Sequence, residues 1–267
     1  MGSPNRIEYR VTARNTATAS ENRLHTDDVA RRYGFRGGLV PGGTVYAYAT
    51  YPVVQVLGER WLAHGRARVR FVSPCYDGED LTVTVVAGTS TSVDFEARAG
   101  GRICAAGSAS LISASSPGEE VDAIPAATPP SIGNRPPASE GSLVVGAVLG
   151  SINLRTDPET AVMYLAQVAE PATVYAEQGL LHPGLLLEGA NSVLMANLAL
   201  PAWLHVESDV RNLRAVSMGE DVEVRARVAE LFERKGHRFV RMDVIWVSGP
   251  ETVAAAKHTA IWQPAAT

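Results

Sequence analysis

The residues best suited to chemistry are a histidine in a polar loop and the glycine-rich turn that follows it. Asn22 precedes His25 by three residues, and the turn reads Leu39-Val40-Pro41-Gly42-Gly43. Histidine has an unperturbed pKa of about 6.5, so it can take or give a proton near neutral pH. N–H groups at a helix start can hydrogen-bond an oxygen that gains negative charge. We therefore expect a site for a polarised carbonyl, with His25 transferring a proton and Gly42 and Gly43 letting a ligand approach the backbone.

Both polar residues of this loop also have a purely structural interpretation. His25 is a general acid or base, or a loop histidine that caps the turn at Asp27. Asn22 orients substrate or water, or is a turn residue whose side chain bonds the local backbone. The residues alone leave these alternatives open.

The glycine turn must be positioned by a helix, which the apolar segment 44–57 predicts. Pro52 inside it predicts a kink or an early stop. Upstream we expect a strand over 6–14 and a short helix from Asp27 to residue 32, capped by its carboxylates. Alternation with a period of two predicts further strands at 67–72, 81–87, 93–99, 103–112, 206–216, 222–232, 239–247 and 253–262.

The chain contains two similar halves. Trp61-Leu62 is matched by Trp203-Leu204, and Pro41-Gly42 by Pro183-Gly184, at a spacing of 142 residues. We therefore predict two units of one central helix and an antiparallel meander, over 1–114 and 142–267. A proline-rich linker over 115–141 joins them and is long enough to cross one edge of the molecule.

Composition excludes several classes of function. The chain has 267 residues, is 46% apolar and carries a formal net charge of −4, which argues against a general nucleic-acid binder. Two cysteines, Cys75 and Cys104, cannot build a disulfide framework and suit a reducing cytoplasm. No apolar run fits a signal peptide or a bilayer span, and no cluster has metal-ligand spacing. We expect a cytoplasmic protein without metal or other cofactor, and without nucleic-acid or membrane partners.

The loop and the turn resemble those of the MaoC-like hydratases and dehydratases, a hot-dog family with the loop motif Asp-x-Asn-x-x-His. The resemblance implies an α+β double hot-dog fold, in which each unit wraps a curved antiparallel sheet around one helix. It also implies acyl thioester substrates, carried on coenzyme A or on an acyl-carrier protein. The matching residues are Asn22, His25, Asp27, Ala30, Gly34-Phe35 and Pro41-Gly42.

The motif departs from the family at its catalytic aspartate. That aspartate lies five residues before the histidine, where this chain has Ser20. Glu21 is off by one and would point differently from an extended loop. Ser20, with Glu21, is a candidate partial replacement, although a loop rich in Thr, Ser and Asn needs no such role. Because hydration uses two groups to hold water and move a proton, simple enoyl hydration requires another acid to enter the site.

Three functions follow from the resemblance. The leading one is an enoyl-thioester hydratase or 3-hydroxyacyl dehydratase. The second is a thioesterase using Glu188, since hot-dog thioesterases place a nucleophile or base on the central helix; alternatively Glu188 is an acid favourable near a helix start. The third is a non-catalytic acyl-thioester-binding subunit of a hydratase complex, which the missing aspartate favours. A monomer or a homodimer is compatible with all three.

Further residues are candidates for binding the ligand. Arg66, Arg68 and Arg70 share one face of a strand and could meet phosphates of the carrier, or form a solvated face. Gln167 and Glu170 stand where the second half would carry its histidine, so that copy is expected to be structural or to form part of the pocket. Three more residues are candidates for the pocket or the core: Trp203, His205 and Glu207.

Overall fold

The computed structural model describes residues 6–112 and 122–265, which form one ten-stranded antiparallel sheet around two long helices. The strands are β1 (Arg6–Thr12), β2 (Gly65–Phe71), β3 (Asp80–Thr89), β4 (Ser92–Ala99), β5 (Arg102–Leu111), β6 (Val148–Asn153), β7 (Leu204–Asn212), β8 (Glu223–Arg234), β9 (His237–Ser248) and β10 (Glu251–Gln263). The helices are α1 (Asp27–Arg32), α2 (Gly42–Leu57), α3 (Arg60–His64), α4 (Pro158–Gln167), α5 (Val174–Gln178) and α6 (Pro183–Asn197), with 3-10 turns at Arg23–His25 and Ile132–Asn134.

The sheet repeats one strand order in both halves. The order is β1-β3-β4-β5-β2-β7-β10-β9-β8-β6, so β6 to β10 occupy the places of β1 to β5 about a central pair. That central pair is β2 and β7, which run antiparallel with Arg68 opposite Asp209 and Val69 opposite Ser208. A single continuous sheet therefore joins the two units.

Helices α2 and α6 lie on the inner face of this sheet. The strands alternate: Leu81, Val83 and Val85 of β3 are buried, while the residues between them are partly exposed. The helices meet where a Cβ added at Gly184 would lie 2.9 Å from the Cβ of Ala47. Each helix therefore begins beside the second turn of the other, and glycine permits this approach.

Most predicted elements are confirmed, but the sequence analysis did not predict α3, α4, α5 or β6, and it was wrong about the end of α2. Helix α2 continues through Pro52 to Leu57, so the early stop was wrong, although proline removes one helix hydrogen bond. Strand β6 was not predicted, because Gly150 interrupts the alternation of its six residues. Gly150 is needed there, since a Cβ would collide with Pro129 of the linker.

The described part of the proposed linker, 122–141, packs on the second unit. Ile124 is buried against Ile245 and Ala255, and the N–H of Ser151 donates to the Ala127 carbonyl at 2.7 Å. Residues 1–5, 113–121 and 266–267 lie outside the described residues, and they include the first part of the predicted linker, 115–121. No helix in the part of the chain that the structure describes is both long and apolar enough to cross a membrane.

One buried amide links α6 to β6. Asn197 accepts from the N–H of Gly150 at 2.7 Å and donates to the carbonyls of Gly150 and Val193, each at 2.8 Å. We expect Asn197→Ala to lower the free energy of unfolding by about 2–4 kcal/mol, because two buried backbone groups lose their partner. Urea denaturation measures it. The exposed Asn153→Ala should change stability by less than about 0.5 kcal/mol, and equal losses would contradict this account.

Candidate active site

A cavity of about 520 Å³ lies between the two units. The first unit contributes Ser20, Asn22, His25 and Gly42, and the second contributes Glu188, Asn191, Trp203 and His205. The structure thus brings the histidine loop (residues 20–28), the start of α2 and one face of α6 to a single space. Of the residues predicted from sequence, Gln167 also lines it, whereas Glu207 does not.

His25 is held as a neutral base. Its Nδ1 lies 2.8 Å from the Leu39 carbonyl oxygen, which can only accept, so Nδ1 carries the ring proton. Nε2 is then an acceptor, and the Asn22 amide lies 3.3 Å from it. Burial lowers the pKa of His25, against the opposing effect of the Leu39 hydrogen bond. At neutral pH the imidazole therefore presents an unprotonated Nε2 in the cavity.

Asn22 fastens the histidine loop to the second unit. Its Nδ2 donates to the Trp203 carbonyl at 3.0 Å, and its Oδ1 accepts from the N–H of Trp203 at 3.3 Å. The same oxygen accepts from the N–H of Leu24, which is the local contact expected of a turn residue. Asn22 is only 3% exposed. It therefore both builds the 3-10 turn and sets the position of His25 relative to the second unit.

Ser20 and Glu21 do not restore a carboxylate beside His25. The Oγ of Ser20 accepts from the N–H of Asn22 at 3.2 Å, so it supports the loop. Glu21 points away, as the sequence indicated, and pairs with Arg135 at 2.8 Å. Ser20 lines the cavity but Glu21 does not.

Glu188 is the only carboxylate among the described residues that line the cavity. A Cβ added at Gly43 would lie 3.2 Å from its Cγ, so the acid projects from α6 onto the start of α2. Its side chain has no hydrogen-bond partner among the described residues. Burial raises the pKa of Glu188 to about 7. The carboxyl group can therefore give or take a proton at neutral pH.

The two glycines of the turn have a packing role that the sequence did not indicate. A Cβ at Gly42 would lie 3.0 Å from the Phe71 ring and 3.2 Å from Nδ1 of His205. Side chains of both units thus fill the space that a Gly42 side chain would need, while Gly42, unlike Gly43, still lines the cavity. The N–H groups of Gly42 and Gly43 still have no partner among the described residues, since Pro41 caps α2 without a side-chain hydrogen bond.

The predicted arginine stripe lies outside this cavity. Arg66 and Arg68 both pair with Asp209 at 2.7 Å, across the β2 and β7 junction. Ala67 and Val69 alternate with them and are buried, so the arginines occupy the outer face of the sheet. Arg70 is on that same face. The proposed phosphate contacts of these three arginines at the His25 cavity are not supported by this placement.

The equivalent position in the second unit is filled. His182 caps α6 through Nδ1, which accepts from the N–H of Gly184 at 2.9 Å, and its Nε2 lies 3.1 Å from Glu170. The Tyr164 hydroxyl lies directly against Gly184, and Tyr46 of α2 is buried where the repeat would place a counterpart of Glu188. This copy is therefore closed by aromatic side chains and an internal His–Glu pair.

Three polar atoms of the cavity residues are buried without a partner among the described residues. They are Oδ1 of Asn191, Nε1 of Trp203 and Nδ1 of His205. Sequence reasoning named Trp203 and His205 as pocket candidates but gave Asn191 no role. Its position three residues after Glu188 on a helix was the available signal, because such pairs share a helix face.

Solved structures of other proteins share this fold. A protein described as a MaoC domain dehydratase from Chloroflexus aurantiacus has a TM-score of 0.66 at 12% identity, covering 98% of this chain and 95% of that one. A conserved hypothetical protein from Mycobacterium tuberculosis with a double hot-dog fold gives 0.61 at 16% identity, with 98% and 96% covered. A protein described as an oleoyl thioesterase from Lactobacillus plantarum gives 0.56 at 12% identity, with 98% and 97% covered.

These likenesses establish the fold. The chain is a double hot-dog protein of the α+β class, as the motif resemblance implied, and its structural neighbours include MaoC-like dehydratases. In sequence, no family model and no curated protein matches the chain.

Glu188 should make stability depend on pH. Its pKa is raised from 4.5 to about 7, so the folded protein holds this proton more tightly than the unfolded chain. The stabilisation is complete below about pH 4.5 and is lost as pH rises through about 7. We expect the stability of Glu188→Gln relative to wild type to grow by about 2–3 kcal/mol between pH 5 and pH 8.

Urea denaturation at both pH values measures this difference. Glu177→Gln, at an exposed position of α5, is the matched control and should show no such growth. A constant difference between Glu188→Gln and wild type would mean that Glu188 titrates normally.

Proposed function

We propose that the chain is a MaoC-like hydratase or dehydratase of enoyl and 3-hydroxyacyl thioesters, carried on coenzyme A or a carrier protein. In this proposal His25 of the first unit and Glu188 of the second transfer the protons. The observation that supports this proposal is that His25 and Glu188 line the same cavity, at opposite ends of the glycine-rich turn from Leu39 to Gly43. His25 is bonded to Leu39 at one end, and Glu188 lies on Gly43 at the other. Glu188 thus takes the place of the carboxylate missing at Ser20.

The dehydration direction uses His25 as the base. Its unprotonated Nε2 removes the proton on the carbon next to the thioester carbonyl, and the electron pair moves onto the carbonyl oxygen as an enolate. The unpaired N–H groups of Gly42 and Gly43 at the start of α2 stabilise that negative charge. The enolate then collapses to the double bond, and the hydroxyl on the next carbon leaves.

Glu188 supplies the proton that the leaving hydroxyl needs to depart as water. A carboxyl group with a pKa of about 7 is protonated in a large fraction of molecules at neutral pH, unlike an ordinary glutamate. The step leaves an imidazolium and a carboxylate, and transfer of one proton from His25 to Glu188 restores the starting state. Hydration is the same sequence reversed.

A second candidate function is thioester hydrolysis, with Glu188 as base or nucleophile. It is favoured by the absence of any hydrogen-bond partner for the Glu188 side chain among the described residues, and one structural neighbour is described as an oleoyl thioesterase. A non-catalytic acyl-thioester-binding subunit is the third, motivated by Ser20. Cytoplasmic location and a homodimer remain predictions.

Crotonyl-CoA distinguishes these functions. We expect wild type to remove the enoyl absorbance without releasing free thiol. His25→Asn keeps an amide that can reach the Leu39 carbonyl but lacks Nε2, and Glu188→Gln keeps the shape of the acid. Each should lower kcat/KM by about 100-fold to 10,000-fold. Glu21→Gln, which alters the acid paired with Arg135, is the control and should retain activity.

Each other result points elsewhere. Thiol release that Glu188→Gln abolishes would establish hydrolysis. Tight binding of crotonyl-CoA without either reaction would establish the binding subunit. Full hydratase activity in His25→Asn would remove His25 from the mechanism.

The rate should depend on pH as a narrow bell. In the active state, one proton is shared between Nε2 of His25 and the Glu188 carboxyl group. For dehydration that proton must be on Glu188, with His25 neutral. Because burial lowers the pKa of His25 below 6.5, kcat/KM should rise up to that region, and it should fall above about pH 7 as Glu188 ionises. Initial rates between pH 5 and pH 9 measure this. A flat profile from pH 6 to pH 8 would exclude the assigned pair.

A further inference from the structure

The second unit carries a chain of hydrogen bonds that ends in the cavity. Nε2 of His205 lies 2.8 Å from Oγ of Ser208, and that hydroxyl lies 3.0 Å from Nδ1 of His258. The two imidazole rings are 4.2 Å apart. Ser208 and His258 face each other on the paired strands β7 and β10. The chain therefore rests on rigid strands and connects the cavity wall to the interior of the second unit.

The outer nitrogen of each histidine lacks a hydrogen-bond partner among the described residues. Nδ1 of His205 and Nε2 of His258 are buried without a hydrogen bond among the described residues. Burial and the neighbouring His258 hold the pKa of His205 well below its usual range, against the opposing effect of a backbone contact with Glu207. Burial lowers the pKa of His258 to about 3, so both rings are neutral at pH 7. Leaving a buried polar atom unpaired costs free energy. Only His205 lines the cavity, so a ligand can satisfy only that end.

The serine couples the proton positions of the two rings. Ser208 has one hydroxyl proton, so it can donate to one histidine and must accept from the other. If it donates to His205, then His258 donates to it, and the free Nδ1 of His205 carries a proton. If it donates to His258, the free Nδ1 of His205 is bare. Nδ1 of His205, the nitrogen at the cavity, is thus a hydrogen-bond donor or an acceptor, depending on the tautomers of His205 and His258.

The free nitrogen lies beside the start of α2. A Cβ at Gly42 would be 3.2 Å from Nδ1 of His205, so this nitrogen lies beside Gly42, the first residue of α2, whose N–H has no partner among the described residues. An oxygen bound at those N–H groups is an acceptor. It therefore selects the tautomer in which Nδ1 of His205 donates.

We propose that His205 binds the thioester carbonyl oxygen through Nδ1–H, beside the N–H groups of Gly42 and Gly43, and that Ser208 and His258 hold it in the donating tautomer. The inference rests on the proposed function, because it takes the ligand to be an acyl thioester. His205 would be the third hydrogen-bond donor at the carbonyl site, after the N–H groups of Gly42 and Gly43, and it comes from the second unit. Ser208 and His258 are positioning residues, since they act through His205.

Two substitutions separate the two nitrogens of His205. His205→Asn places an amide at the level of Nδ1, and His205→Gln places one at the level of Nε2. We expect His205→Gln to lose roughly tenfold to 100-fold in kcat/KM for crotonyl-CoA, and His205→Asn to lose clearly less, because its amide can still donate at the level of Nδ1. Ser208→Ala should lose roughly tenfold, because the tautomer is no longer set.

A spectroscopic measurement keeps the test independent of turnover. The protein is labelled with ¹⁵N-histidine and titrated with butyryl-CoA, a saturated thioester that cannot be hydrated. Binding should shift the His205 nitrogens to the pattern of a protonated Nδ1 and a bare Nε2, and Ser208→Ala should abolish that shift. His205→Asn identifies the His205 signals by their loss.

The outcomes distinguish this inference from the proposed function. Binding of butyryl-CoA with unchanged His205 signals, or equal losses in His205→Asn and His205→Gln, would overturn the role of Nδ1 and leave the His25 and Glu188 pair standing. No binding of butyryl-CoA to the wild-type protein would overturn both.

Discussion

The pairing of β2 with β7 is the interaction on which the rest of the molecule depends. It makes one sheet from two units and brings the start of each long helix beside the second turn of the other. Because the helices begin side by side, an acid on one can reach the N-terminus of the other. The cavity is a product of this junction, and neither unit contains it alone.

The junction is also where the chain has lost its symmetry. On one side, the start of α2 faces Glu188 and an open space of about 520 Å³. On the other side, the Tyr164 hydroxyl lies against Gly184 at the start of α6, Tyr46 is buried at the repeat position of Glu188, and Nε2 of His182 lies 3.1 Å from Glu170. The backbone is arranged in the same way on both sides, so the difference between them lies in the volume of the side chains. Large aromatic groups convert one potential site into core.

Local chemistry made much of the site predictable from sequence. The histidine loop, the glycine turn and the repeat are all visible in short segments, and Asn22 was identified by its spacing from His25. Glu188 was named as a thioesterase candidate, but its place in the same cavity as His25 was not predicted, because it depends on which strands meet at the centre of the sheet. Glu188 lies 163 positions away in the chain, and only the β2 and β7 pairing brings it to the same cavity.

The arginine stripe illustrates a second limit of sequence reasoning. A period of two shows that Arg66, Arg68 and Arg70 share a face, but not which face looks toward the ligand. Here Ala67 and Val69 take the inner face, and Asp209 neutralises the outer one. The glycines are similar, since the sequence showed that a side chain was missing but not that Phe71 and His205 occupy the space.

The aromatic closure of the second position makes the two units unequal. A symmetric dimer of single hot-dog chains would repeat any cavity at its junction, giving two for every pair of units. Here the described residues leave the junction cavity on one side, because Tyr46 and Tyr164 fill the counterpart. Covalent fusion of the halves is what permits this, since each half carries its own side chains at the shared junction. The second unit, which does not need a cavity of its own, can then evolve side chains that line the cavity of the first.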